Sequence, residues 1–122
     1  MSSKFGEFFR RRRVELGLTL RRFCLEAGLD PGNVSKIERG LLPPPGREKL
    51  EEYGRHLKLQ PGSDAYLEFF DLAAAESGRL PGDLLENEEL MDKLPVLFRT
   101  IRGQRVTPEK LDALIEFIRR GK

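Results

Sequence analysis

The chain of 122 residues is poor in the residues that build metal sites and acid–base catalytic sites, since it contains one cysteine and one histidine. Because Cys24 is the single cysteine, an internal disulfide and a cysteine-based zinc cluster are excluded. Because His56 is the single histidine, a His-rich metal site is excluded and few side chains suited to acid–base catalysis are present. We therefore expect no metal, no cofactor and no enzymatic activity.

Long hydrophobic runs are also missing. The longest unbroken apolar run extends from Leu72 to Ala75, whereas a membrane helix needs roughly 18 to 20 such residues. No secretory leader is visible, because an arginine run follows the first phenylalanines without an apolar segment. With 39% hydrophobic and 34% charged residues, the composition predicts a folded, soluble, cytoplasmic protein with no membrane partner.

Positive and negative charges nearly balance, giving a net charge of +2, but they are unevenly distributed along the chain. Residues 1–59 carry 13 Lys and Arg against 8 Asp and Glu, and residues 60–122 carry 9 against 12. The first region is thus basic and the second acidic. This division indicates a polyanion-binding module joined to a part with another role, although a chance imbalance on solvated helix faces would look the same.

The periodic segments show the helical period throughout, and Gly and Pro lie between them, so we predict an all-α protein. A first helix is expected from Lys4 to Leu16. A second follows the N-cap Thr19, and a third follows Asp30-Pro31, an N-cap aspartate before a proline at the first helical position. A fourth helix is expected to end near Lys58.

We place a domain boundary at Gln60-Pro61-Gly62, giving regions 1–60 and 61–122. In the second region Ser63 predicts the start of a helix that ends near Ser77, followed by a loop over residues 78–83. Asn87 and Thr107 are expected to cap two more helices. Pro95 interrupts the first of these, so that stretch is either one kinked helix or two short ones.

The second and third helices are joined by a tight turn at Gly28, which is the arrangement of a helix-turn-helix. At about 100° per residue, Val34 and Ile37 fall on one side of the third helix. The opposite side carries amide, hydroxyl and cationic donors and no acidic residue, which suits base edges and phosphates. That side consists of Gly32, Asn33, Ser35, Lys36 and Arg39.

Residues 4–59 resemble the lambda-repressor-like (Xre/Cro) helix-turn-helix family. The strongest match is the segment Val34 to Gly40, with its Ile-Glu-Arg-Gly ending. The other matches are Phe5-Gly6, Phe9, Arg13, Gly17-Leu18-Thr19, Ala27-Gly28-Leu29, Pro45 and the helix from Leu50 to Leu57. The resemblance implies a compact five-helix DNA-binding bundle, here followed by a helical tail, with its third helix in the major groove of double-stranded DNA.

The resemblance assigns base-reading positions to Pro31, Gly32, Asn33 and Lys36, and a phosphate-contacting position to Arg39. Further DNA contacts are expected from Arg10 on the first helix and from the start of the second helix, where phosphate would also meet free backbone N–H groups. These additional contact residues are Arg10, Thr19, Arg21 and Arg22. For Arg10, an exposed position without a DNA contact is an equal alternative.

Other positions have structural interpretations. The resemblance implies that Arg13 pairs with Glu38, which the helical wheel places near the core, where an unpaired carboxylate would be costly. Arg11 and Arg12 are expected on a solvated basic face. Cys24 takes a position where the family usually has a buried alanine, so a small buried hydrophobe is favoured over a redox sensor.

The tail contains two apolar stripes at helical spacing, which we predict to form a dimerisation surface. They consist of Leu90, Met91, Leu94, Leu97, Phe98 and Ile101, and of Leu111, Leu114, Ile115 and Ile118. Helical extensions in this family commonly mediate dimerisation. The sequence therefore predicts a homodimeric transcriptional repressor that binds a palindromic operator.

Two alternatives remain open. One is the antitoxin of a toxin–antitoxin pair that regulates its own operon, because the tail loosely resembles those of regulators that act beside a toxin or a metalloprotease partner. The other is a protein-interaction adaptor that has lost DNA binding. The adaptor is suggested by three departures from the family pattern: Leu20 replaces a DNA-contacting glutamine, and Pro31 and Gly32 replace side chains that commonly reach bases.

Overall fold

The computed structural model describes residues 3–121, and these form eight α-helices and no strand. The all-α prediction is therefore confirmed. In chain order the helices are α1 (Lys4–Glu15), α2 (Leu20–Ala27), α3 (Pro31–Glu38), α4 (Arg47–His56), α5 (Asp64–Ser77), α6 (Gly82–Leu85), α7 (Glu88–Ile101) and α8 (Pro108–Arg120).

The helices begin where local chemistry predicts. The side chains of Thr19, Asp30 and Ser63 each accept a hydrogen bond from the backbone N–H three residues later, and so satisfy donors that have no partner inside the helix. Asn87 and Thr107 do the same for α7 and α8. The N-caps expected from the sequence are confirmed at all five positions.

The chain divides into two compact units, the first ending at Pro81 and the second beginning at Gly82. The first unit includes α5, which packs against α1 and α4. The turn at residues 60–62, where the sequence placed the domain boundary, therefore lies inside the first unit. The boundary falls after α5 because Phe69 and Ala73 of this helix are buried in the core of the first unit.

An aromatic cluster forms the centre of the first unit. The ring centroids of Phe5 and Phe69 lie 5.1 Å apart, which joins the first and fifth helices. Phe9 meets Phe23 at 5.5 Å and Tyr53 at 5.7 Å, both in nearly perpendicular, edge-on geometry. One buried phenylalanine thus connects α1 to α2 and α4. Five helices share this core, so α1–α5 supply the five-helix bundle that the family resemblance implies.

A glycine permits the closest approach between helices in this unit. A Cβ on Gly6 would lie 2.5 Å from the carbonyl oxygen of Ile37 and 2.6 Å from that of Glu38. Both atoms are backbone and have no freedom to rotate away. The Phe5-Gly6 pair therefore places a large side chain in the core and brings the backbone of α1 against the end of α3.

The second unit is built differently. The short helix α6 begins inside the segment expected to be a loop and extends beyond it, and α7 runs without a break through Pro95, so the one-helix alternative is correct. Proline has no N–H, so the carbonyl of Met91 receives no hydrogen bond from it. No residue of α6, α7 or α8 is buried among those the structure describes.

Candidate nucleic-acid interface

The turn between α2 and α3 is held by backbone geometry. Gly28 has a φ of 70°, a left-handed conformation that costs glycine little, and the N–H of Leu29 donates to the carbonyl of Cys24 at 2.9 Å. Asp30 then caps α3, and Pro31 occupies its first turn. The inner sides of the two helices are buried in the common core, so their outer sides have a defined orientation. The buried apolar residues are Phe23 and Cys24 on α2 and Val34 and Ile37 on α3.

The outer face of α3 carries donors and no exposed carboxylate within the helix. Asn33, Lys36 and Arg39 are exposed, and Ser35 is half-buried beside them. Among residues 3–121 no carboxylate lies within 4.0 Å of the Lys36 ammonium or the Arg39 guanidinium. The one acidic residue of α3, Glu38, is buried. Pro31 and Gly32 are also exposed, and they present backbone rather than a polar side chain.

A buried ion pair connects α1 to the last turn of α3. Arg13 donates through Nε and Nη2 to the two carboxylate oxygens of Glu38, at 2.8 and 2.9 Å, and its Nη1 donates to the carbonyl of Leu18 at 2.8 Å. Arg13 and Glu38 are 7% and 8% exposed. Hydrogen bonding to Glu38 raises the pKa of Arg13, although burial opposes it. This ion pair and the close helix approach at Gly6 together hold the end of α3 against α1.

The arginines on α1 and α2 differ in their availability. Arg10 and Arg21 are exposed, and no carboxylate of the described chain lies within 4.0 Å of either. Arg10 is one turn from both Gly6 and Arg13, so it lies on the side of α1 that faces the end of α3. Arg22 contacts Glu26 at 3.2 Å in an exposed pair, which is a weak competitor for a phosphate. Thr19 accepts the Arg22 N–H as the cap of α2 and keeps its own hydroxyl proton as a donor.

The prediction for Arg12 is wrong. This side chain is half-buried and donates through Nε to the carbonyl of Leu57 at 2.9 Å and through Nη2 to that of Lys58 at 3.0 Å. It therefore binds the two carbonyls that directly follow α4, whereas carbonyls within the last turn of α4 accept backbone N–H groups from the residues after it. Free carbonyls beyond a helix end need a donor, but the sequence does not indicate which arginine supplies it. Arg11 is exposed as expected, with its guanidinium 5.3 Å from the centre of the Phe8 ring.

Three further positions lie inside or at the edge of the core. Leu20 is half-buried and packs against it, so the residue that replaces the family's glutamine faces inward. Cys24 is buried, and burial raises the pKa of its thiol. His56 is half-buried, with its ring 6.5 Å from that of Phe23 in perpendicular geometry.

The residues expected to mediate dimerisation lie on α7 and α8. Leu90, Met91 and Leu94 are half-buried, and all the other members of the two stripes are exposed. Phe117, which the sequence analysis did not include, is 62% exposed on α8 beside its stripe. It follows Leu114 by three residues, a helical spacing that could have included it in the stripe.

Two other kinds of site are absent from residues 3–121. No group of three or more His, Cys, Asp and Glu side chains is arranged to hold a metal ion. None of the helices combines the length and the apolar character needed to cross a bilayer.

Comparison with known proteins identifies one matching family. The family model described as a helix-turn-helix domain matches residues 4–65, which is half of the chain. The match includes α1 to α4 and reaches the first residues of α5. No curated protein and no solved structure matches the chain.

Proposed function

The chain belongs to the helix-turn-helix domain family, and we propose that it is a sequence-specific transcriptional repressor that binds a palindromic operator as a homodimer. The DNA-binding module is α1–α5, with α3 in the major groove. The tail provides the dimer contacts. In a helix-turn-helix dimer the two recognition helices reach half-sites one helical turn apart, about 34 Å.

The outer face of α3 is the observation that carries this proposal. Lys36 and Arg39 are exposed cations with no carboxylate partner in the described chain, and Asn33 is an exposed amide on the same helix. Lys pairs with guanine and Asn with adenine in the major groove, whereas Arg39 near the end of α3 suits a phosphate. Arg10, Thr19, Arg21 and Arg22 extend the donor surface for backbone contacts.

The departures from the family pattern determine how the sequence is read. Leu20 faces the core and has no polar group, and Pro31 and Gly32 offer no side-chain donor. Base readout therefore depends on Asn33 and Lys36, supplemented by DNA shape. Gly32 allows the backbone of α3 to come close to a base pair.

The test is to recover genomic fragments that the full-length chain retains, and then to measure binding of variants to the selected site. Lys36→Ala is expected to cost about 1–3 kcal/mol at that site and little on random DNA. Arg39→Ala is expected to weaken both and to reduce the salt dependence. Arg55→Ala, which removes an exposed arginine of α4, is the matched control and is expected to have a small effect.

Two outcomes would contradict the proposal in different ways. If no DNA is selected, or if neither substitution changes binding, the protein is an adaptor, a function that the inward-facing Leu20 favours. If DNA binds but the full-length chain is monomeric by light scattering, the tail has a different partner, and the antitoxin alternative takes its place.

A further inference from the structure

An open cavity of about 270 Å³ lies in the first unit, between the C-terminal parts of α2 and α4. Its volume equals that of roughly nine molecules of liquid water, so it is large enough for a small organic ligand. None of the residues to which we assign a DNA contact lines it. The residues that line this α2–α4 cavity are Leu18, Phe23, Glu26, Ala27, Arg55, His56 and Lys58.

The wall formed by α2 and the residue before it is mainly apolar. Phe23 is buried, and Leu18 and Ala27 are half-buried, so this side offers hydrocarbon and ring surface to a ligand. Glu26 is the one acidic residue that lines the cavity, and its carboxylate contacts the Arg22 guanidinium at 3.2 Å. The single negative charge of the cavity therefore has a partner within the chain.

The wall formed by α4 and the residues after it is cationic. Arg55 and Lys58 are exposed, and no carboxylate of residues 3–121 lies within 4.0 Å of either charged group. The half-buried imidazole of His56 makes no hydrogen bond within the same part of the chain. Three side chains that can donate through nitrogen thus line the cavity without an acceptor from the protein.

Lys58 has a backbone conformation that favours glycine. Its φ is 56°, the one positive value at a residue other than glycine between residues 3 and 121. The turns that follow α2 and α5 use Gly28 and Gly78 for this left-handed conformation. At Lys58 the backbone is held by Arg12, whose Nη2 donates to its carbonyl at 3.0 Å. Strained residues that their surroundings hold in place are concentrated at functional sites, which indicates a use for the lysine side chain.

A small anion with an apolar body complements both walls. Its negative charge suits Arg55 and Lys58, and its body suits Phe23 and the apolar residues beside it. Glu26 opposes additional negative charge, so a carboxylate is favoured over a phosphate dianion. The volume limits the ligand to roughly ten non-hydrogen atoms, since each water that it displaces contributes one.

We propose that the α2–α4 cavity is a binding site for a small carboxylic acid, ionised, with an aromatic or aliphatic body. Arg55 and Lys58 bind the carboxylate, His56 supplies a further donor, and Phe23 contacts the body. The site lies apart from the outer face of α3, and it does not depend on the proposed function.

Nuclear magnetic resonance titration of the isotope-labelled full-length chain tests this site. The probes are benzoate, phenylacetate and hexanoate. At least one is expected to give saturable shifts of the backbone amide signals of Phe23, Ala27 and His56, with a dissociation constant on the order of 1 mM. Benzamide, which has the shape of benzoate without its charge, is expected to bind at least about threefold more weakly, and so is inorganic phosphate.

Charge variants show whether the cavity, rather than the net charge of the protein, attracts the carboxylate. Arg55→Gln with Lys58→Gln is expected to weaken binding of that probe at least about fivefold. Arg47→Gln with Lys49→Gln removes two exposed cations of the same helix that do not line the cavity, and this matched control should leave binding unchanged. Glu26→Gln is expected to strengthen binding, because it removes the like charge.

Lys58→Gly separates a role in ligand binding from a role in the fold. Glycine adopts the left-handed conformation without strain, so the melting temperature should stay the same or rise while binding of the probe weakens. A lower melting temperature with unchanged binding would mean that Lys58 serves the fold, and its assignment to the site would be wrong.

Three results would overturn the proposal as a whole. The first is that none of the three carboxylates gives saturable shifts at the residues that line the cavity. The second is that benzamide binds as tightly as benzoate. The third is that the cavity variant and its matched control lose binding equally. DNA selection is measured separately, so failure of this site leaves the proposed function standing.

Discussion

The two units of this protein use apolar residues in opposite ways. The first, which contains α1–α5, buries most of its phenylalanines, and Phe5, Phe9 and Phe69 are fully inaccessible. The second, which contains α6–α8, has a comparable supply of Leu, Ile and Phe but buries none of them among the described residues. A unit that completes its own core and a unit that leaves two apolar stripes exposed are suited to different partners. The first presents a rigid polar surface, and the second presents an apolar one.

The largest effect that tests this comparison is expected from truncating one phenylalanine in each unit. Phe69→Ala removes a fully buried ring that contacts Phe5 and Phe8, so it should reduce the free energy of unfolding by about 3–5 kcal/mol. Phe98→Ala, at a ring that is 51% exposed, should change the melting of the first unit little and should weaken self-association instead. Thermal melts combined with sedimentation measure both quantities. A stability loss of equal size in the two variants at low concentration would contradict the comparison.

This prediction also shows why the sequence located the helices better than the domain boundary. Ser63 and the apolar side of α5 identify a helix, because capping and periodicity are local. Whether Phe69 packs on α1 or within the tail depends on contacts between residues more than 60 positions apart, and no local signal carries that information. The turn at Gln60-Pro61-Gly62 is a real chain reversal, but a turn does not reveal which elements pack across it.

The candidate site shows the same division. The wheel of α3 predicts which residues face outward, and the structure places Asn33, Lys36 and Arg39 on the exposed side. Arg12 was misassigned because four consecutive arginines have equivalent local chemistry. What distinguishes Arg12 is the position of the end of α4, which is set by tertiary packing. The resemblance to the family, rather than periodicity, supplied the Arg13–Glu38 contact.

The next largest effect concerns ion pairs in the two units. Glu38→Ala leaves the buried Arg13 guanidinium without its carboxylate, and we expect a loss of about 3–5 kcal/mol. Glu116→Ala on α8 removes a carboxylate that contacts Arg119 at 3.3 Å and Arg120 at 3.8 Å, but this group is exposed. The expected loss there is about 0–1 kcal/mol.

A double-mutant cycle establishes whether Arg13 and Glu38 act together. Adding Arg13→Ala to Glu38→Ala should recover part of the loss, because no unpaired charge then remains buried. Denaturant titrations of the four proteins give the coupling free energy. Strictly additive losses would mean that the two side chains stabilise the first unit independently, and that the orientation of α3 depends on Gly6 and the core instead.

The smallest expected effects come from alanine substitutions at two buried helical glycines of the first unit. Their comparison distinguishes a tight helix contact from a loose one. On Gly6 a Cβ would lie within 2.6 Å of two backbone carbonyl oxygens, so α1 and the end of α3 must separate to admit a methyl group. On Gly54 the nearest atom is a ring carbon of Phe69 at 3.6 Å, an ordinary van der Waals distance. Gly6→Ala should therefore destabilise the protein by about 1–3 kcal/mol. Gly54→Ala should be neutral or stabilising by up to about 1 kcal/mol, because alanine is the better helix former.

Gly6→Ala should also weaken operator binding beyond its effect on stability, since it displaces the helix that presents Lys36 and Arg39, whereas Gly54→Ala should leave binding unchanged. Equal melting temperatures for the two variants would show that α1 and α3 have room to move apart, and that the presentation of α3 is less rigid than the contacts at Gly6 indicate.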